Sequence, residues 1–420
     1  MLDFRPPLDS PPLIALVNFM LPMYLKHGLH NTKVQPAPGA IERFKSYQGK
    51  RALICPNHSN RHDPQIMFEF SRQSGEAFNY VAAREVFDWY DGWNGWWLQH
   101  LGCYSVVRGA ADRESFKTTK RVLSEGKKKL VLFPEGEISR QNDTLMPLES
   151  GAAQLTFWAV EELAKQATAA AGSIIEPVYV IPMALKYTYP NDISGQLKET
   201  LAKLEENVGV KSGDQSIYQR LRQISEKLLE TIEKEYSMKP AADTSLNDRI
   251  ATLRQSILTS VGHQLQVELP GNVRQLELVR ILRNHIDDFV YTPEQDFSEY
   301  EKKVHEERAS TLRGHYADLD RVVNFIAIYD GYLKEQMTQE RFADILDRLE
   351  REIMRTREPS FHGARVVLLD VGEPINLSER YADYKSAKKA TIAKITDEIF
   401  GQVQTMLTKL DQYRKPILVS

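Results

Sequence analysis

Residues 52–64 read ALICPNHSNRHDP. Four apolar residues, Ala52 to Cys55, stop at Pro56, which reads as a short buried strand ended by a residue that cannot extend the hydrogen-bond ladder. Just past that end, His58 precedes Asp63 by five positions, on one loop or helix start. Imidazole titrates near neutrality, as a general base must. A carboxylate on its far ring nitrogen fixes the tautomer and stabilises the imidazolium once the proton has moved. His62 is the rival base, but it adjoins Asp63, so the two side chains diverge. The spacing alone is common in a chain with ten histidines, and a strand-end histidine that caps a helix is the plain alternative.

The 420 residues suffice for two or three domains and a large core. A hydrophobic content of 42% with 26% charged residues describes an ordinary folded chain. The net charge of −3 gives no global pull toward nucleic acid or anionic lipid, and no nucleic-acid signature, metal-ligand spacing or phosphate-cradling Gly-rich loop is present. The two cysteines, Cys55 and Cys103, fall in expected buried strands and read as reduced structural thiols of a cytosolic protein. A Cys55–His58 nucleophile pair is the less favoured use of Cys55, which lies inside the apolar run.

Short β-branched runs alternate with helical stretches from about residue 40 to 190, the mark of an α/β domain. Strands are expected at Ala52–Cys55, Phe78–Ala82, Cys103–Val107, Leu130–Phe133 and Val178–Met183, with helices such as Asp112–Ser124 and Gly151–Lys165 between them. After Pro190 the chain turns to long charged helices. Leu221, Ile224, Leu228 and Ile232 recur at helical steps, as do Ile250, Leu253, Ile257 and Val261 behind a Ser245/Asp248 cap, and Phe342, Ile345, Leu349 and Ile353. Residues 364–377, ARVVLLDVGEPINL, then read as an apolar strand and turn, followed by a helix with Ile392, Ile395, Ile399, Val403, Met406 and Leu410 on one face. One strand and one amphipathic helix cannot stand alone, so they are expected to rejoin the first sheet. The domains are therefore 1–35, an N-terminal membrane-interface region; 36–191, the first part of a catalytic domain; 192–360, a helical insertion; and 361–420, the returning strand and last helix. The fold class is α/β, a mixed central sheet flanked by helices and interrupted by a long all-helical insertion.

Three more strand-end blocks bear polar residues: GCYSVVRG (102–109), LVLFPEGEISR (130–140) and VYVIPMALKY (178–187). Sites in open α/β sheets form at strand ends. With NHSNRHD, these four blocks resemble, in order and spacing, the glycerophospholipid acyltransferase superfamily, whose members include lysophosphatidate and glycerol-3-phosphate acyltransferases. The resemblance covers roughly residues 40–190 and the returning strand. It implies transfer of a fatty acyl group from an acyl-CoA or acyl-carrier-protein thioester to a lysophospholipid hydroxyl, with 1-acylglycerol-3-phosphate as the first acceptor. Glycerol-3-phosphate or another lysophospholipid is the alternative. No cofactor is implied.

By residue, the resemblance implies His58 as general base and Asp63 as its orienter. It places Gly102 and Arg108 in the second block, with Arg108 on the acceptor phosphate, Glu135 and Gly136 around the acceptor, and Pro182 on the acyl-donor side. The plainer readings are a surface salt bridge for Arg108 and a helix cap for Glu135. Members commonly carry Thr-Arg after the glycine of the third block, where this chain has Glu137 and Ile138. Arg140 and Lys186 are the candidates to replace that arginine.

Pro11 to Leu25, PPLIALVNFMLPMYL, is apolar but too short to span a bilayer. It is expected to lie in the membrane interface through residues such as Leu16 and Phe19. Four of the five tryptophans, Trp89, Trp93, Trp96 and Trp97, cluster in one segment and are expected to join it, since indole favours the headgroup zone. Packing on the domain's own core is the alternative for both segments. The chain thus reads as a peripheral or monotopic membrane enzyme on the cytoplasmic face. A non-catalytic membrane-docked interaction protein is the rival class, disfavoured by the full set of His58, Asp63, Arg108 and Glu135. A serine hydrolase is disfavoured by the lack of a G-x-S-x-G elbow.

Overall fold

The structure, a computed structural model, describes residues 3–109, 112–169, 175–211, 213–239, 243–291, 297–326, 337–356, 358–413 and 418–419. The apolar runs form one mixed sheet: β1 (Asn31–Pro36), β2 (Arg51–Pro56), β3 (Phe78–Ala83), β4 (Cys103–Val106), β5 (Lys129–Val131), β6 (Val178–Thr188), β8 (Arg365–Val371) and the short β9 (Ile375–Asn376). Their order is β1-β8-β6-β2-β5-β3-β4, with β9 beside the start of β6. β2 lies parallel to both β5 and β6. β8 runs antiparallel to β6 and parallel to β1. Residues beyond the helical stretch thus fill the sheet between two strands from the first half of the chain. A second, two-stranded sheet pairs β7 (Met337–Thr338) with β10 (Leu418–Val419).

All five strand starts and three of the ends fall within one residue of the sequence pattern, while two ends differ by more. β5 stops at Val131, so Phe133 sits in the loop beyond it, and β6 continues five residues past Met183 to Thr188 because β8 supplies a partner there.

On one face of the sheet lie α2 (Ala40–Lys45) and α3 (Asp63–Ser74), with α1 (Pro11–Met23) against α3. α3 begins with Asp63 and Pro64 in its first turn and ends at Gly75, whose φ of 76° is a left-handed cap. α4 (Trp93–His100) leads into β4. The opposite face carries α5 (Arg113–Glu125), α6 (Gly151–Ala169), α13 (Tyr381–Ser386) and α14 (Lys388–Lys409). The side chain of Asp112 caps α5 by accepting from Ser115 N. Along β6, Tyr187 reaches Asp63 of α3 while Lys186 reaches α14, so successive residues serve opposite layers.

The helical segment has a core of its own. It comprises α7 (Ser194–Val208), α8 (Ile217–Glu235), α9 (Leu246–Leu265), α10 (Gln275–Val290), α11 (Glu299–Ile326) and α12 (Gln339–Met354). The apolar stripes of α8, α9 and α12 face inward, so burial of these stripes is what assembles the bundle. α10 also reaches the sheet's loops, where Asn284 Nδ2 donates to Arg108 O at 2.7 Å.

Candidate active site

The loop after β2 is pinned at successive residues. The carboxamide of buried Asn57 exchanges two hydrogen bonds with Leu185 of β6, at 3.0 and 2.7 Å, and so continues the β2–β6 pairing past Pro56. His58 N donates to Glu135 Oε1 at 2.5 Å, and His58 O accepts from Ser139 N at 2.7 Å and Ser139 Oγ at 3.1 Å. With both backbone groups held, the imidazole is stacked on Phe133 at 4.2 Å and is 16% exposed.

His58 Nδ1 lies 2.9 Å from Asp63 Oδ2, which also accepts from Asn60 N at 2.8 Å. Asp63 is fully buried, and its Oδ1 accepts from Tyr187 Oη at 2.6 Å. An ionised carboxylate only accepts, so the neutral ring carries its proton on Nδ1 and leaves the Nε2 lone pair for an incoming hydroxyl. His62 turns away: its Nδ1 faces Asn31 Nδ2 at 3.3 Å and Arg365 Nη2 at 3.0 Å. Burial first, then the Arg365 and Arg61 charges, hold its pKa down at about 3. It therefore stays neutral, with a lone pair engaged by an arginine.

Arg108, beyond β4, directs its guanidinium at the loop that braces His58. Nη1 donates to Gly136 O at 2.8 Å and Glu137 Oε1 at 2.6 Å, and Nη2 pairs with Glu85. From α10, Arg283 Nη1 donates to the same Glu137 oxygen at 2.8 Å. Gly136 has a φ of 71°, and a Cβ there would collide with Nη2 of Arg280, also from α10. The left-handed backbone favours glycine here, and the missing side chain leaves room for the arginine tip.

Residues 29–186 match the model of the Acyltransferase family. They form an acyltransferase domain of the glycerophospholipid type. No curated protein matches the chain. This domain supports a general acyltransferase activity, which joins an acyl donor to a lipid acceptor.

Within this acyltransferase domain the residues named from the four blocks are not all gathered at one point. His58 and Asp63 meet, and Arg108 and Gly136 lie beside their loop. Glu135 has both carboxylate oxygens taken by the backbone. It is fully buried and accepts from His58 N and Met146 N, so it braces the loop rather than lining a site. Burial lifts its pKa to about 7, against the pull of those two N–H donors.

Gly102 lies at the amino end of β4, away from the strand ends that carry His58 and Arg108. Its φ of 87° and the closeness of Asp9 and Asn79 account for it. Lys186 points to the α14 face, pairing with Asp143 at 2.9 Å and Asp411 at 2.7 Å and donating to Leu407 O. Pro182, two residues off in each β6 alternation from Ala184 and Lys186, belongs to that same face. Arg140 donates to Asn324 of α11, turned into the helical segment. Neither Arg140 nor Lys186 thus replaces an arginine beside Arg108.

Sequence reasoning missed Tyr187, Asn57, Phe133, Arg280 and Arg283. The first three lie within the quoted blocks or next to them, whereas the two arginines of α10 carry no local signal. Among the described residues, no helix is long and apolar enough to cross a membrane. On α1, however, Leu16, Phe19, Met20 and Met23 are exposed, and on α4 so are Trp93 and Trp96, with Trp97 half-buried. The segment leading into α1 is bonded to the end of α4 through Leu8 N to Gln99 O and Ser10 N to His100 O.

Proposed function

We propose that this acyltransferase moves a fatty acyl group from acyl-CoA or an acyl-carrier-protein thioester to the hydroxyl of a lysophospholipid, with His58 as general base. The observation that carries this reading is the His58 Nδ1–Asp63 Oδ2 pair at 2.9 Å, with Asp63 buried and held from its other side by Tyr187. Nε2 takes the hydroxyl proton as the oxygen attacks the thioester carbonyl. The new C–O bond forms, the C–S bond breaks, and the imidazolium returns its proton to the departing thiolate. Asp63 orients the ring and favours its charged form without itself becoming protonated.

The sequence blocks suggest lysophosphatidate as acceptor, with glycerol-3-phosphate and lysolipids with other headgroups as the alternatives. The exposed apolar residues of α1 and α4 support placement of the protein on a membrane surface, where such acceptors reside.

The test is purified protein with radiolabelled oleoyl thioesters of CoA and carrier protein, and a panel of these acceptors, run beside His58→Ala. Esterified product that disappears in the variant is expected. Product that persists in His58→Ala, or none from folded wild-type protein with either donor, would end this reading.

A further inference from the structure

Glu137 stands between two guanidiniums that arrive from different parts of the chain. Arg108 from the sheet and Arg283 from α10 both donate to its Oε1, at 2.6 and 2.8 Å. The carboxylate side chain is 11% exposed. The second terminal nitrogen of each guanidinium is also engaged: Arg108 Nη2 pairs with Glu85, and Arg283 Nη2 donates to Asp320 Oδ1 at 2.6 Å. Arg280, one turn earlier on α10, pairs with Glu149 Oε1 at 2.9 Å. Burial alone would raise the pKa of Glu137, but Arg108 and Arg283 bring it down to about 2, so the group is ionised at any neutral pH.

A phosphomonoester is recognised by guanidinium forks that are free to donate in pairs. Beside the loop that braces His58, the forks of Arg108 and Arg283 already hold an anion supplied by the chain. A dianionic headgroup could take its place only by driving a carboxylate from two cations in a buried site, leaving that carboxylate without partners. A headgroup without a phosphomonoester meets no such contest.

We infer that Glu137 is a resident counter-anion occupying the place beside Arg108 that an acceptor phosphate would need, so that the enzyme selects lysolipids whose headgroup is zwitterionic or uncharged. This deepens the acyl-transfer reading of the same site and rests on it. Glu137 is thereby a specificity-determining residue, and α10 takes part in acceptor choice through Arg283.

The experiment ranks lysophosphatidate, lysophosphatidylcholine and monoacylglycerol as acceptors of oleoyl-CoA for the full-length wild type and for Glu137→Gln, which keeps the side-chain size. Wild type is expected to prefer the last two over lysophosphatidate. In Glu137→Gln the kcat/KM ratio should move toward lysophosphatidate by about tenfold or more, mainly through KM, the scale of one charge-assisted hydrogen bond. Lysophosphatidate as the best acceptor of the wild type would overturn the inference, a result that needs no variant. An unmoved ratio in folded Glu137→Gln would also overturn it.

Calorimetric titration with glycerol-3-phosphate gives a readout separate from turnover. Binding to Glu137→Gln about tenfold tighter than to wild type supports the inference, and equal binding overturns it. If no acceptor is turned over by folded wild type, the acyl-transfer reading fails, while the calorimetry still decides whether Glu137 keeps phosphate out.

Discussion

The hydroxyl of Tyr187 donates to Asp63 Oδ1 at 2.6 Å, while His58 Nδ1 faces the same carboxylate's other oxygen at 2.9 Å. The orienting group of the pair is therefore itself oriented, by a residue near the end of β6 whose burial keeps its phenol protonated. Tyr187→Phe leaves one oxygen of a buried carboxylate without that donor. It is expected to destabilise the fold by about 1–3 kcal/mol and to lower kcat by about tenfold with little change in KM. Denaturant melts and steady-state kinetics check the two parts separately.

His58→Ala should reduce kcat by about 10²–10⁴-fold, and Asp63→Asn by a comparable order through the wrong tautomer. His62→Ala should retain kcat within a few-fold, because that ring already accepts from Arg365 and stays neutral. Loss of activity in the His62 variant with its fold intact would reassign the base.

Glu135 and Glu137, two residues apart, should titrate in opposite directions. Glu137 folds with a pKa of about 2, below its ordinary 4.5, so its stabilising contribution is full above pH 4.5 and is lost as pH falls through about 2. Glu135 folds with a pKa of about 7, above 4.5, so its contribution is full below pH 4.5 and is lost as pH rises through about 7. Urea unfolding from pH 2 to 8 should therefore show the wild type's advantage over Glu137→Gln shrinking in acid. Glu135→Gln should abolish part of the wild type's decline between pH 4.5 and 7.

Both cysteines are buried and free. Burial pushes both thiols up, Cys103 to about 12 and Cys55 further. Thiolate chemistry is thus closed to them at neutral pH. N-ethylmaleimide should leave acyl transfer by the native protein unchanged and label the two cysteines only as denaturant unfolds it, which peptide mapping would show.

Phe19 is 86% exposed on α1 and Trp93 60% exposed on α4. Exposed apolar side chains on two bonded segments are expected to enter a bilayer surface together. Phe19→Glu, and separately Trp93, Trp96 and Trp97 all changed to Ala, should weaken liposome cosedimentation by about tenfold or more. Parent-like binding by both would remove the membrane role.

Local patterns carried much of this fold. The apolar run before Pro56, the helices expected at Asp112–Ser124 and Gly151–Lys165, and the helical stripes of α8, α9 and α12 are all short-range signals, and each marks an element that forms. What a strand pattern cannot tell is which layer each face meets. Lys186 and Tyr187 are adjacent, yet one is bound to α14 and the other to the Asp63 carboxylate, and only the assembled layers separate them. Glu135 was placed at the acceptor by the family resemblance alone, whereas its two carboxylate oxygens are used by backbone N–H groups. Arg280 and Arg283 sit on a helix whose sequence announces an amphipathic stripe but not what the polar face touches. Glu137 was visible as a departure from a common pattern, and its meaning required the arginine that comes to it from α10.

The placement of β8 sets an order of events during synthesis. Its first residue, Arg365, bonds to Asn31, 334 positions earlier, and β1 joins the sheet through β8. Until Arg365–Val371 leave the ribosome, β1 has no berth and the far half of β6 presents an open edge, a template for pairing with other chains. The helical segment is translated in that interval. Its core is its own, so it is free to gather before Arg365 reaches a strand waiting since the start of translation. A chain halted before residue 365 would keep the His58 loop in its sequence yet expose the edge it should have sealed, which makes premature termination an aggregation hazard as well as a loss of activity.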